Sequence, residues 1–190
     1  EKNKKKEFNN IKKILIIGGS QGSIFFDKTI SNLILKISQT IKIEVCQQLF
    51  NLEEKFSIEQ KYNTTGINYR LFDFDEKIFN NNSDYDLAIT RSGASAIAEL
   101  ACLNIPFIAI PFPHAKDDHQ YFNAKFYESA NSCWLMRQDN FNINYVADLI
   151  AQLFTNKNEY FKKKENLEKI SNQNTWNNVN KKLLDLINEN

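Results

Sequence analysis

Four apolar residues in unbroken succession, Ile14-Leu15-Ile16-Ile17, run straight into Gly18-Gly19-Ser20-Gln21-Gly22. A strand with no polar residue on either face must be buried on both, as in the middle of a parallel sheet. A glycine turn at the end of such a strand, followed by a helix, aims backbone N–H groups and the positive end of the helix dipole at one spot. The chain has only 5 glycines, and three of them fall between residues 18 and 22. The helix is expected from about Ser23 to Gln39, with Ile24, Phe25, Ile30, Leu33, Ile34 and Ile37 on its apolar side. The dinucleotide fingerprint G-x-G-x-x-G would need glycine at Ile17, and an acidic residue at the end of the next strand, Ile43–Gln48, which instead ends in Gln47-Gln48. A P-loop would need a Gly-Lys-Ser/Thr ending, which is absent. The turn therefore suits a phosphate outside the nicotinamide pattern. A tight β–α turn with glycines for packing alone is the alternative.

The strand–helix alternation continues. Leu52–Tyr62 reads as a helix, Thr64-Thr65-Gly66 as a turn and Ile67–Phe72 as a third strand, before Phe72–Asp75 passes into a loop or short helix and Asn80–Asp84 breaks it. Asp86–Leu100 reads as a fourth strand, a tight turn and a helix ending near Asn104. Here Ser92 is placed to cap the helix and Gly93 to admit a ligand to the backbone. Ser92, Ser95 and Glu99 recur on one face. A polar stripe rising from an anion-binding helix start to a carboxylate suits a phosphate followed by a sugar diol; the same pattern also fits an amphipathic helix with one solvated Glu.

Phe107–Ile110 is a fifth buried strand, followed by Pro111-Phe112-Pro113-His114-Ala115, in which the prolines stiffen the loop. Asp117 or Asp118 is placed to cap the next helix, with His119 and Gln120 in its first turn and Asn123 a turn later, side chains suited to sugar hydroxyls. A metal site through His114, Asp117, Asp118 and His119 is the alternative, but the zinc spacings are not met. Ser132–Met136 is expected as a sixth strand, and Phe141–Phe154, Asn156–Ile170 and Asn174–Asn188 as helices.

Six strands alternating with helices define an α/β fold, a Rossmann-like doubly wound parallel sheet. In such sheets ligands bind beyond the carboxyl ends of the strands. Gly18–Gly22, Phe72–Asp75, Arg91–Ser95 and Pro111–Gln120 all lie there, so four loops converge on one edge. The net charge of +1 gives no field for nucleic acid. Cys46, Cys102 and Cys133 lie far apart in apolar surroundings and read as reduced core cysteines. Residues 1–13 are lysine-rich without an apolar run, and read as a basic linker rather than a signal peptide. No stretch approaches the roughly 20 apolar residues of a membrane span.

These blocks resemble the C-terminal, donor-binding half of the MurG family of bacterial glycosyltransferases. The carriers are Gly18-Gly19-Ser20-Gln21-Gly22, Arg91-Ser92-Gly93-Ala94 with Glu99, and Pro111–Ala115 with Asp118-His119-Gln120 and Asn123-Ala124. The resemblance covers about Ile14 to Met136 and weakens beyond. It implies one half of a GT-B glycosyltransferase, with residues 14–190 as a UDP-sugar-binding domain carrying C-terminal helices. The family transfers N-acetylglucosamine with inversion from UDP-GlcNAc to a lipid-linked muramyl-pentapeptide in peptidoglycan synthesis. It implies no cofactor and a cytoplasmic enzyme peripheral on the inner face of the membrane.

By position, Gly19, Ser20, Gln21 and Gly22 would face the diphosphate and Phe74 would offer backbone groups to the uracil. Glu99 would take the ribose hydroxyls, and His119 and Gln120 the sugar hydroxyls. Arg91, Ser92, Gly93 and Ala94 would shape the nucleotide pocket and helix start. The family's general base and acceptor-binding loops belong to an N-terminal domain outside these 190 residues. The chain alone is therefore expected to bind the donor weakly and transfer nothing, needing an N-terminal domain or partner chain. Other readings are half of a nucleotide-sugar epimerase, the stand-alone subunit of a two-chain transferase, and a plain nucleotide-binding module.

Overall fold

In the computed structural model, which describes residues 11–19, 24–80 and 84–173, six parallel strands form one sheet in the order β3-β2-β1-β4-β5-β6. The strands are β1 (Lys12–Ile17), β2 (Ile43–Gln48), β3 (Asn68–Phe72), β4 (Leu87–Thr90), β5 (Phe107–Ala109) and β6 (Trp134–Leu135). The order reverses between β1 and β4, which pair with Ile14 opposite Leu87 and Ile17 opposite Thr90. Such a reversal opens a crevice at the carboxyl ends, because the connections leave on opposite faces.

The unbroken apolar run of β1 is explained by its two neighbours in depth. Ile14 and Ile16 face one core, and Leu15 and Ile17 face the other. The first core is closed by α1 (Ser31–Ser38), α2 (Leu52–Thr65) and α5 (Ile143–Thr155), through residues such as Leu33, Tyr62 and Ile150. The second is closed by α3 (Ala94–Cys102), α4 (His119–Ser129) and α6 (Asn158–Gln173), through Ile97, Leu100, Ala124 and Leu167. Towards the β3 edge the second face turns polar, and β2 and β3 alternate there as half-solvated strands do. The described part of the β3–β4 connection contains turns and no helix, which leaves that corner thinly covered.

Boundaries moved where local chemistry outweighed apolar pattern. Strand β1 starts at Lys12, whose stem is buried and whose ammonium lies 5.7 Å over the Phe154 ring. The expected Ser23–Gln39 helix runs from residue 24 and holds a π-turn at Phe26–Ile30 before α1. Strand β6 is only Trp134–Leu135 rather than Ser132–Met136, because the Ser132 N–H and hydroxyl both turn back to the Tyr127 carbonyl. Cys46 and Cys133 are core residues, but Cys102 is exposed at the end of α3. The expected last helix, Asn174–Asn188, lies outside the described residues, as do residues 1–10 of the basic segment.

Helix α6 is latched by polar groups as well as by Leu167. Tyr160 Oη donates to the Asp86 carbonyl at 2.7 Å, and Lys163 Nζ to the Cys133 carbonyl at 2.9 Å and Asn131 Oδ1 at 2.8 Å. Among the described residues no helix is long and apolar enough to cross a membrane.

Ile16 has no exposed surface at the centre of the sheet. Ile16→Ala is expected to cost about 2–5 kcal/mol in denaturant unfolding; a loss under about 1 kcal/mol would contradict a tightly packed two-sided core.

Candidate functional site

Arg91, the residue directly after β4, sets the geometry of the carboxyl edge. Its backbone N–H donates to the Ile17 carbonyl at 3.0 Å, continuing the β1–β4 ladder by one residue. The side chain is 4 % exposed. Its guanidinium donates to the carbonyls of Ile110 at 3.2 Å and Pro111 at 3.0 Å, and to Gln138 Oε1 at 2.6 Å. Three rings surround it, with its central carbon 4.9 Å from the Phe26 centroid, 5.4 Å from Phe112 and 5.7 Å from Phe25. Burial lowers its pKa to about 10, so it remains a cation at neutral pH. These polar contacts of Arg91 all go to the protein's own loops. Gly19 packs against it with φ +83; a Cβ there would meet Arg91 Cβ at an ordinary 3.6 Å, so conformation rather than space demands glycine.

Beyond Arg91 the chain makes a sharp turn into α3. The N-cap is Gly93, in extended conformation with no side-chain capping bond. Ser92 was expected to cap the helix; it lies one residue too early, fully buried, and its Oγ has no hydrogen-bond partner among the described residues. The free N–H groups of the first α3 turn carry the positive end of its dipole. Ala94 and Ser95 are exposed at this end, and Glu99 is exposed further along the same helix. The polar stripe therefore starts at Ser95 and not at Ser92. At 1.5 Å per residue, Glu99 stands about 7.5 Å along the axis from Ala94.

The loop after β5 forms the facing wall. Gln120 Oε1 accepts from the Phe112 N–H at 3.0 Å, and Asn123 Nδ2 donates to the Ser92 carbonyl at 3.1 Å, so α4 holds both neighbouring loops. His119 is exposed at the first position of α4. Its Nδ1 lies 2.8 Å from the Lys116 carbonyl, which only accepts, so Nδ1 carries the proton and Nε2 of the neutral ring is the acceptor. Asp117 and Asp118, expected as caps, both have left-handed backbone, at φ +53 and +52. Asp118 stands at the N-cap position but makes no side-chain capping bond, and pairs with Arg137 at 3.0 Å instead.

Phe74 lies in the loop after β3 and is 73 % exposed. Ser20, Gln21 and Gly22 lie outside the described residues. Gln47, at the position where a dinucleotide-binding strand carries an acid, is fully buried; it accepts from Tyr62 Oη at 2.6 Å and donates to Ser31 Oγ at 2.9 Å. It serves the core. No group of three His, Cys, Asp or Glu among the described residues could hold a metal ion, His114, Asp117, Asp118 and His119 included.

Two cavities, of about 200 and 290 Å³, open elsewhere, around Lys13, Glu44, Arg70 and Tyr85 near the amino ends of β1–β3. They follow from the thin cover over that corner of the sheet. The carboxyl edge is the better site, because helix starts, a Ser92 hydroxyl with no partner among the described residues and the converging loops are all there.

Several organising residues gave no signal as ligand-site candidates. Phe25 reads only as helix core, and Phe26 is not singled out by the pattern. Arg137 and Gln138 sit in an unremarkable polar stretch. Asp27 is buried in the π-turn, accepting from the N–H groups of Asn51 at 2.8 Å and Phe50 at 3.1 Å, with its carboxyl raised above the usual range by burial. An acid among Phe25, Phe26 and Ile30 was the one available hint of such a tie.

A parallel sheet with this strand order and this converging edge is a Rossmann-like doubly wound domain, and it matches one half of the GT-B glycosyltransferase fold. The chain belongs to glycosyltransferase family 28, as its C-terminal domain, whose family model matches residues 13–181. It is 38% identical over 177 residues to the UDP-N-acetylglucosamine–N-acetylmuramyl-(pentapeptide) pyrophosphoryl-undecaprenol N-acetylglucosamine transferase of Pelagibacter ubique (strain HTCC1062), covering 93% of this chain and 49% of that one. To the enzyme of the same name from Rickettsia bellii (strain RML369-C) it is 38% identical, over 76% of this chain and 41% of the other. Crystalline Acinetobacter baumannii MurG superposes with a TM-score of 0.75 at 22% identity, over 99% of this chain and 55% of that one. The chain spans about half the length of the curated relatives it matches.

Arg91→Ala removes the donor for three acceptors at once. It is expected to lower stability by about 2–4 kcal/mol in urea unfolding. Arg91→Lys should recover little, because one ammonium cannot span the same fork. Near-wild-type stability of Arg91→Lys would contradict the role described.

Proposed function

We propose that this chain is the donor-binding half of an inverting glycosyltransferase that moves N-acetylglucosamine from UDP-GlcNAc to undecaprenyl-pyrophosphoryl-MurNAc-pentapeptide in peptidoglycan synthesis. The observation that carries this reading is the start of α3, where a dipole end, an exposed turn and a buried Ser92 hydroxyl with no partner among the described residues coincide with a carboxylate further along the helix. The names of the curated relatives supply the donor and acceptor.

The diphosphate would rest on the starts of the helices after β1 and β4, against Gly19, Ser20, Gln21, Gly22, Ser92, Gly93 and Ala94. A nucleoside diphosphate leaving group gathers negative charge as the glycosidic bond breaks, and preorganised N–H groups stabilise that charge without reorganising. Arg91 adds a fixed positive charge behind the turn while holding its walls. Glu99 would accept from the two ribose hydroxyls, at a separation from the helix start that matches diphosphate followed by ribose. His119 Nε2 and the Gln120 amide nitrogen would meet the sugar hydroxyls. Phe74 lies at the edge where the uracil would sit, in reach through its backbone. Inversion requires a base to deprotonate the acceptor hydroxyl. In this reading the base comes from the acceptor-binding half, and binding of the lipid acceptor brings the assembled enzyme to the inner face of the membrane. No nucleic acid and no cofactor enter the scheme.

Isothermal titration calorimetry with UDP-GlcNAc, UDP-GalNAc and UDP tests it. The folded chain is expected to prefer UDP-GlcNAc, and Glu99→Ala to weaken binding about tenfold or more, the cost of losing a charged acceptor for two hydroxyls. A folded chain that binds none of the three would remove the reading. Unchanged affinity in Glu99→Ala would remove the ribose assignment alone.

A further inference from the structure

Arg137 and Gln138 are adjacent in the segment between β6 and α5, and their side chains reach different walls of the site. Gln138 Oε1 accepts from the Arg91 guanidinium at 2.6 Å, at the end of β4. Arg137 donates to Asp118 Oδ2 at 3.0 Å, at the entry to α4, and its guanidinium lies 4.1 Å over the Tyr121 ring. We propose that this dipeptide is a brace of two positioning residues. It fixes the start of α4 relative to the β4–α3 turn, and so sets the distance between the groups that meet the diphosphate and those that meet the sugar. The proposal rests on the donor-binding reading above.

The start of α4 needs such a tie. No side chain caps it, and the chain enters it through two consecutive left-handed aspartates, a conformation that non-glycine residues adopt at a cost. Asn123 secures the helix one turn further along, and Gln120 ties it to Phe112. Neither holds residues 117–119, the segment that aims His119. A guanidinium paired with a carboxylate and stacked on a ring is fixed in both direction and plane, which a lysine would not be. The Arg137–Asp118 pair is also half exposed, with side-chain exposures of 51% and 39%. An exposed pair adds little to global stability. Its removal should therefore move the helix start while leaving the fold intact. Gln138 acts at the other end, closing the guanidinium that holds the phosphate-side walls.

The whole 190-residue chain serves for the test. Affinities for UDP and UDP-GlcNAc are measured by calorimetry for the wild type, Arg137→Ala, Arg137→Lys, Asp118→Ala, the Arg137→Ala/Asp118→Ala double variant and Gln138→Leu, with thermal melts and amide hydrogen exchange alongside. Arg137→Ala is expected to melt close to wild type, to bind UDP unchanged and to lose roughly fivefold in UDP-GlcNAc affinity. Asp118→Ala should match it, and the double variant should be no worse than either single one, because both remove the same tie. Arg137→Lys should recover part of the loss. Amides of residues 119–121 should exchange faster in Arg137→Ala. Gln138→Leu should weaken both ligands alike. Equal loss of UDP and UDP-GlcNAc in Arg137→Ala, no change in either, additive loss in the double variant, or a large drop in melting temperature each overturns the brace. A wild-type chain that does not distinguish UDP-GlcNAc from UDP overturns the donor reading itself, a separate result.

Discussion

A buried guanidinium holds the carboxyl edge of this sheet together. Removing Arg91 from water carries a desolvation cost of several kcal/mol, and the lowered pKa is the sign of it. Charged hydrogen bonds contribute roughly 1.5–3 kcal/mol each, and a desolvated ring contact up to about 2 kcal/mol. The cost is offset only when most partners are present together. Arg91 has acceptors from Ile110, Pro111 and Gln138 and rings from Phe25, Phe26 and Phe112. Those partners come from the π-turn helix, the loop after β5 and the loop after β6. Each can seat only if the others do, so one side chain makes four loop positions interdependent.

That interdependence suits ligand binding. A parallel sheet delivers its loops to one edge but does not fix their spacing, because loops lack a ladder of hydrogen bonds. Here cross-links replace the ladder. Asn123 holds the Ser92 carbonyl, Gln120 holds the Phe112 N–H, and Asp27 holds the loop after β2. These polar side chains are spent on backbone groups of neighbouring loops. Among the described residues, the donors left over are backbone N–H groups at the α3 start and a few side-chain tips, with the buried Ser92 hydroxyl the clearest unmet one. A site with fixed walls and unspent donors is preorganised for an anion, since little reorders when the ligand arrives.

The central strands were legible because burial on two faces leaves a continuous apolar run between turn signals, whereas their order in the sheet is a property of the fold. Ile14–Ile17 and Phe107–Ile110 read as central strands from four residues each, and the convergence of loops followed from parallel topology. The helix starts were less legible. Capping was assigned to Ser92, Asp117 and Asp118 on residue type, whereas a cap depends on backbone angles that residue type only biases. Gly93 took the first position, and Asp118 stands at the N-cap of α4 with left-handed backbone and no capping bond. Gln47 could be separated from a nucleotide-binding acid by its chemistry, but its true partners, Ser31 and Tyr62, are 16 and 15 residues away and became visible only in the fold.

The same contrast separates the residues that would touch the ligand from those that hold them. Glu99 shares a helix face with Ser95, and His119 and Gln120 stand in the first turn of their helix, so their positions near the edge could be anticipated; Glu99 and His119 are exposed, and Gln120 is half-buried. Arg137 and Gln138 act across the sheet edge, on Asp118, 19 residues away, and on Arg91, 47 residues away. No spacing rule connects positions so far apart. Their contribution is a distance between two walls, and distance is a property of the assembled fold. In the proposed donor-binding reading, specificity between a nucleoside diphosphate and its sugar-bearing form would depend on such a distance, because both ligands would use the phosphate wall and only one would reach α4. In that reading, discrimination between them would fall to contacts that carry little stability and that the pattern of the chain leaves unmarked.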